Sequence, residues 1–134
     1  MPMEETHVAW LFVTPVHAGF PSPADDYREN KLDLNELVIQ HPEATFYVRV
    51  SGDSMRLAGI DTGDILVVDR AKSAIHNAIV VAIVDGEFTV KRLVIRGEEL
   101  YLMPENPHYP PLKIAGEMEF QVWGVVTYCI KRLS

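Results

Sequence analysis

Two runs of mostly apolar, β-branched residues, Ile79-Val80-Val81-Ala82-Ile83-Val84 and Glu87-Phe88-Thr89-Val90-Lys91-Arg92-Leu93-Val94-Ile95-Arg96, are separated only by Asp85-Gly86. An Asp-Gly pair tolerates the two positive φ angles of a type I′ turn, so this stretch is expected to fold back as an antiparallel hairpin with Lys91 on its second strand. Further runs over 45–51, 64–69, 99–104 and 120–130 are rich in Val, Ile, Phe and Tyr and are punctuated by Gly, Pro and Asp. Together they predict a mainly β domain. Ahead of it, Leu32, Leu34, Leu37, Val38 and Ile39 suggest a short helix, opened by Asn30 or Asp33 and stopped before Pro42. Residues 1–30 read as an arm whose one apolar piece, Val8-Ala9-Trp10-Leu11-Phe12-Val13, is expected to dock as a strand on the parent domain or on a partner subunit. The organisation expected is therefore an arm, 1–30, and a β domain, 31–134.

Composition narrows the functional classes. With 134 residues, 48% hydrophobic and 23% charged, the chain can build one ordinary globular core. A net charge of −7 counts against neutralising the phosphates of duplex DNA, so contact with DNA is expected only through a partner. A small basic patch from Arg92, Arg96, Lys131 and Arg132 stays open. No apolar run approaches the roughly 18 residues of a membrane span, and Glu4 and Glu5 stand where a basic leader would be. A cytoplasmic protein without membrane contact is expected. The single cysteine, Cys129, allows no intrachain disulfide and is expected as a core thiol of the last strand. His7, His17, His41, His76 and His108 lack zinc-site spacing, and Asp53, Asp61, Asp64 and Asp69 lack calcium-loop order. The aspartates read as turn residues, His76 as a loop histidine, and no metal or cofactor is expected.

The chemistry is concentrated in Val50-Ser51-Gly52-Asp53-Ser54-Met55 and Lys91. A serine hydroxyl is a poor nucleophile until a neighbour takes its proton, and a neutral lysine amine can do so. Lysine is neutral near pH 7 only if burial or a cationic neighbour lowers its pKa from about 10.4, at a cost of roughly 1.36 kcal/mol per unit. Phe88, Val90, Leu93, Val94 and Ile95 offer Lys91 apolar surroundings, while strand alternation sends Arg92 to the opposite face. Gly52 permits a tight turn in which the amides of Asp53 and Ser54 could converge on an oxyanion site. Taken singly, the serine reads as a surface hydroxyl of a turn and the lysine as part of a solvated strand face.

Taken together, and with Gly19-Phe20-Pro21-Ser22-Pro23-Ala24-Asp25-Asp26-Tyr27, Leu32-Asp33-Leu34-Asn35-Glu36-Leu37, His41-Pro42-Glu43-Ala44-Thr45, Gly63-Asp64-Ile65-Leu66-Val67-Val68-Asp69 and Trp123-Gly124-Val125-Val126, these motifs resemble the LexA/UmuD family of self-cleaving serine-lysine proteases, on its UmuD-like side. The resemblance runs from about Gly19 to Val126, and the first 17 residues depart from it. It implies a LexA-type curved, partly barrel-like β domain, Ser54 as nucleophile, Lys91 as base, backbone amides of Asp53 and Ser54 as oxyanion donors, and the Ala18-Gly19 bond as the one cut. It also implies a homodimer, stimulation by a RecA filament on single-stranded DNA, and service to a UmuC-type, lesion-bypassing polymerase in the bacterial SOS response.

The cut site has chemical logic of its own. Ala18 is small enough for a narrow pocket, Gly19 allows close approach, and Pro21 and Pro23 hold the chain extended. Composition alone favours a flexible linker here, and only the context of Ser54 and Lys91 turns it into a substrate. Only 53 residues precede Ser54, and about the first 30 hold prolines, acids and no amphipathic helix pair, so a helix-turn-helix repressor is not expected. Two other classes stay open: a non-catalytic β module that binds polymerase or RecA, and a protease acting on other proteins.

Overall fold

The computed structural model describes residues 8–12 and 28–134. Two compact units divide at 39/40, one covering Met1–Ile39 and the other Gln40–Ser134. In the first, strand β1 (Val8–Phe12) pairs antiparallel with β2 (Arg28–Asp33), Val8 opposite Asp33 and Trp10 opposite Lys31. The apolar piece of the arm is a strand, as expected, but its partner is a segment that the sequence reading left partly to the arm and partly to the helix. That helix, α1, is only Leu34–Val38; Leu32 lies on β2. Asp33 is its N-cap, with Oδ1 accepting the Asn35 N–H at 2.9 Å.

The second unit is a seven-stranded antiparallel sheet. Its strands are β3 (Thr45–Arg49), β4 (Ile65–Asp69), β5 (Ile79–Val84), β6 (Glu87–Arg96), β7 (Glu99–Met103), β8 (Leu112–Lys113) and β9 (Phe120–Ile130). They lie in the order β3-β4-β9-β5-β6-β7-β8. The mainly β expectation holds. Strands β5, β6 and β9 begin and end where the residue pattern places them, and only the two-residue β8 was not foreseen. At the β5–β6 hairpin Asp85 and Gly86 take φ of 48° and 84°, the paired left-handed conformations for which Asp-Gly is suited.

The unbroken apolar run of β5 is explained by burial on both faces of the sheet. Val81 joins Met55, Ile60, Leu66 and Val68 in one core cluster, whereas its neighbours Val80 and Ala82 join Leu93, Leu102 and Val125 in another. Alternation then gives no polar face to write. Gly124 marks a close approach of β9 to its sheet neighbour β4: a Cβ there would lie 2.5 Å from Val68 Cγ1.

Two local expectations are corrected. Cys129 is exposed and free, its Sγ 3.5 Å from Asp64 Oδ2, because the last residues of β9 run beyond both core clusters. Asp64 and Asp69 are buried, at 5% and 3% exposure, and each carries partners that compensate its charge. Asp64 accepts from Lys131 Nζ at 2.6 Å and from the Asp61 amide at 2.8 Å. Asp69 accepts from His41 Nδ1 at 2.5 Å and from the Ala71 amide at 2.8 Å.

Candidate active site

The hairpin and the loop after β3 bring the two sequence-selected side chains together. Lys91 Nζ lies 2.9 Å from Ser54 Oγ, 2.7 Å from Thr89 Oγ1 and 3.0 Å from the Val90 carbonyl oxygen. Strand pairing accounts for the placement. Residues 87–92 pair with β5 on one side, but β7 joins on the other side only from Arg92. Beside Lys91 the strand edge is open, and Ser54 sits against it. Where β7 ends, the chain turns so that the Glu105 N–H donates to the Ser54 carbonyl at 2.8 Å.

The loop that carries Ser54 is fixed from several directions. Met55 is 3% exposed in the first core cluster, a burial worth about 1.5–3 kcal/mol that anchors the residue next to Ser54. Gly52, at φ 103°, donates its N–H to Thr62 Oγ1, and the Thr62 hydroxyl donates back to the Gly52 carbonyl, each at 2.9 Å. Asn106 Nδ2 donates to the Asp53 carbonyl at 2.9 Å, and the Tyr109 hydroxyl donates to Asp53 Oδ1 at 2.5 Å. Among the described residues the amides of Asp53 and Ser54 meet no acceptor.

Burial holds the Lys91 pKa below the usual lysine value of 10.5, since the half-buried ammonium loses hydration and, among the described residues, no carboxylate hydrogen-bonds to it. A neutral amine has two N–H bonds and one lone pair. If the two N–H bonds go to Thr89 Oγ1 and the Val90 carbonyl, the lone pair is left for the Ser54 hydroxyl. That arrangement can take a proton from serine and later return it to a leaving group.

A cleft of about 310 Å³ opens beside the pair, with Val48, Val50, Ser51, Met55, Phe88 and Trp123 among the residues lining it. Trp123 is packed by Phe46 at 5.3 Å and Phe88 at 5.9 Å between ring centroids, with the Arg70 guanidinium 4.6 Å over its ring. The basic side chains left open by the sequence are engaged elsewhere. Lys131 bonds Asp61 and Asp64, and Arg92 Nε reaches Glu105 Oε1 at 2.6 Å. His76 accepts the Ile95 N–H, which makes it the loop histidine expected. Ala18 and Gly19 lie outside the described residues. Sequence reasoning passed over Thr62, Thr89, Glu105, Asn106 and Tyr109; of these only Thr89 carried a signal, two residues from Lys91 on the same strand face.

A serine hydroxyl held on a half-buried lysine at the foot of a β-walled cleft defines a candidate hydrolase site that, among the described residues, holds no histidine. Residues 11–127 match the Peptidase S24-like family, and the chain belongs to it, a family of serine proteases that cleave themselves. Among its relatives, the SamA protein of Salmonella typhimurium is 48% identical over 131 residues, covering 98% of this chain and 89% of SamA. The MucA protein of Escherichia coli is 45% identical over 125 residues, covering 92% and 85%. The LexA repressor of Xylella fastidiosa is 39% identical over 114 residues, covering 85% of this chain and 53% of the repressor. Within the family the chain is UmuD-like.

Proposed function

We propose that the chain cuts its own Ala18-Gly19 bond, with Ser54 as nucleophile and Lys91 as general base. Neutral Lys91 takes the Ser54 proton as Oγ attacks the Ala18 carbonyl carbon. The oxyanion is met by the amides of Asp53 and Ser54, and the protonated Lys91 gives its proton to the departing Gly19 amine. Lys91 then deprotonates a water, which releases Ala18 as a free carboxylate and restores Ser54. The observation that carries this reading is the 2.9 Å contact between Lys91 Nζ and Ser54 Oγ, with no carboxylate among the lysine's hydrogen-bond partners in the described residues.

In this reading residues 1–30 are an arm cleavable at 18–19, of which the cut removes residues 1–18, and 31–134 are the protease and dimerisation domain. A RecA filament on single-stranded DNA stimulates the cut by favouring the productive arrangement. The trimmed homodimer then serves a UmuC-type translesion polymerase in the bacterial cytoplasm. The family resemblance supports these roles, and SamA and MucA are relatives along almost the whole chain.

The test is the intact mass of wild-type and Ser54→Ala protein followed at neutral pH and near pH 10, with and without RecA, a non-hydrolysed ATP analogue and single-stranded DNA. Loss of residues 1–18 from wild type only, faster at the higher pH, is expected. A wild-type chain that stays whole in every condition transfers the function to a non-catalytic module that binds polymerase or RecA.

A further inference from the structure

The Asn106 side chain is 4% exposed, lies on the loop between β7 and β8, and uses both ends. Its Oδ1 accepts the His108 N–H at 3.0 Å and its Nδ2 donates to the Asp53 carbonyl at 2.9 Å. A trans peptide is planar, with its C=O and N–H pointing in opposite directions, so pinning a carbonyl aims the following residue's amide the other way. Along this loop three successive carbonyls are pinned: Gly52 by Thr62 Oγ1, Asp53 by Asn106 Nδ2 and Ser54 by the Glu105 amide. Among the described residues the amides on all three planes, those of Asp53, Ser54 and Met55, meet no acceptor, and those of Asp53 and Ser54 are the two on the N-terminal side of the Ser54 side chain.

We infer that Asn106 is a positioning residue for transition-state stabilisation: by holding the Asp53 carbonyl it turns the Ser54 N–H toward the place where the oxyanion forms. Asn106 has no role in proton transfer and touches neither Ser54 Oγ nor Lys91. It belongs to a bracket that also spans the dyad, since Glu105 meets Ser54 through its amide and Arg92, next to Lys91, through its carboxylate. The inference rests on Ser54 being the nucleophile, and it goes further by naming what orients the amide that receives the charge.

The test uses full-length wild type, Asn106→Ala and Asn106→Asp. The aspartate keeps the shape and the acceptor for the His108 N–H but has no donor for the Asp53 carbonyl, so it decides the matter if the alanine variant does not fold. Two readouts are taken: self-cleavage rate against pH, and labelling of Ser54 by a fluorophosphonate, which forms an Oγ–P bond with loss of fluoride and draws on the same oxyanion donors. For Asn106→Ala the limiting cleavage rate and the labelling rate are expected to fall about 10²-fold, the scale of losing one oxyanion donor, with the midpoint of the pH profile unmoved. A merely structural role would loosen the packing around Lys91 and move the midpoint. Folded variants that label and cleave at the wild-type rate overturn the inference and leave the dyad standing. A wild-type chain that neither cleaves nor labels overturns the dyad reading, and this inference with it.

Discussion

Thr89→Val removes one hydroxyl and nearly preserves shape, so its effect can be worked out from the geometry around Lys91. Thr89 Oγ1 accepts from Lys91 Nζ at 2.7 Å, and both the ammonium and the neutral amine have an N–H to give it. A bond from an ammonium contributes about 1.5–3 kcal/mol and one from a neutral amine about 0.5–1.5, so the charged form loses about 1 kcal/mol more when the acceptor goes. Converted at about 1.36 kcal/mol per pH unit, that is a downward shift of about 0.7 units, trimmed to about half a unit by solvent screening at a half-buried group. The neutral amine also loses one of the two bonds that aim its lone pair at Ser54. The limiting rate at high pH is therefore expected to fall about 10-fold, the kinetic equivalent of one neutral hydrogen bond of about 1.4 kcal/mol. Self-cleavage of the full chain, followed by intact mass from pH 6 to 11, should show a profile shifted to lower pH and capped at a lower rate. At neutral pH the two changes oppose each other, so one rate measured there would mislead. A midpoint that moves upward, or an unchanged limiting rate, refutes the idea that Thr89 orients the base.

Three further outcomes follow from the same structure. Lys91→Met should abolish cleavage yet raise the thermal midpoint. The lysine's lowered pKa means that the folded state binds fewer protons than the unfolded one, so wild type gains stability as pH rises toward 10.5 and the methionine variant's advantage narrows over that range; scans at pH 7 and 10 check it. The hydrogen bond from Lys131, followed by the Asp61 amide, holds the Asp64 carboxyl below its ordinary 3.8, and such a group contributes stability above that value that is lost as pH falls through its folded pKa. Asp64→Asn should accordingly melt below wild type at pH 7, with the gap closing under strongly acid conditions. Gly124→Ala would drive a Cβ to within 2.5 Å of the fully buried Val68 and is expected to cost about 1–3 kcal/mol in urea unfolding, whereas a loss near zero would show that the Val68 side chain or β9 can give way at this close approach.

Much of this protein is local in the sense that sequence reports. The Asp85-Gly86 turn depends on two backbone angles, and the strands it joins follow from β-branched residues between turn-formers, so the hairpin carrying Lys91 was legible without any tertiary information. Ser54 and Lys91 could be nominated for the same reason: their types and flanking residues fit one chemistry, and a family resemblance tied them together. The short strand 28–33 was not legible, because Arg28, Glu29, Asn30 and Lys31 have poor strand propensity and take that form through pairing with residues 8–12. Nor was the exposure of Cys129, since an apolar strand end does not announce where the core stops.

What only the tertiary structure decided is the support of the site. Asn106, Glu105 and Tyr109 reach the Ser54 loop from a segment some fifty residues away, and polar side chains in a Pro-rich loop read alike whether they face water or a carbonyl. Side-chain chemistry and backbone propensity are properties of a residue and its neighbours, so the sequence determined the hairpin, the β class and the candidate pair, Ser54 and Lys91. Distance, desolvation and the direction of an amide arise when remote segments are packed against one another. The fold alone set the 2.9 Å contact, the lowered lysine pKa and the pinned carbonyls behind Ser54.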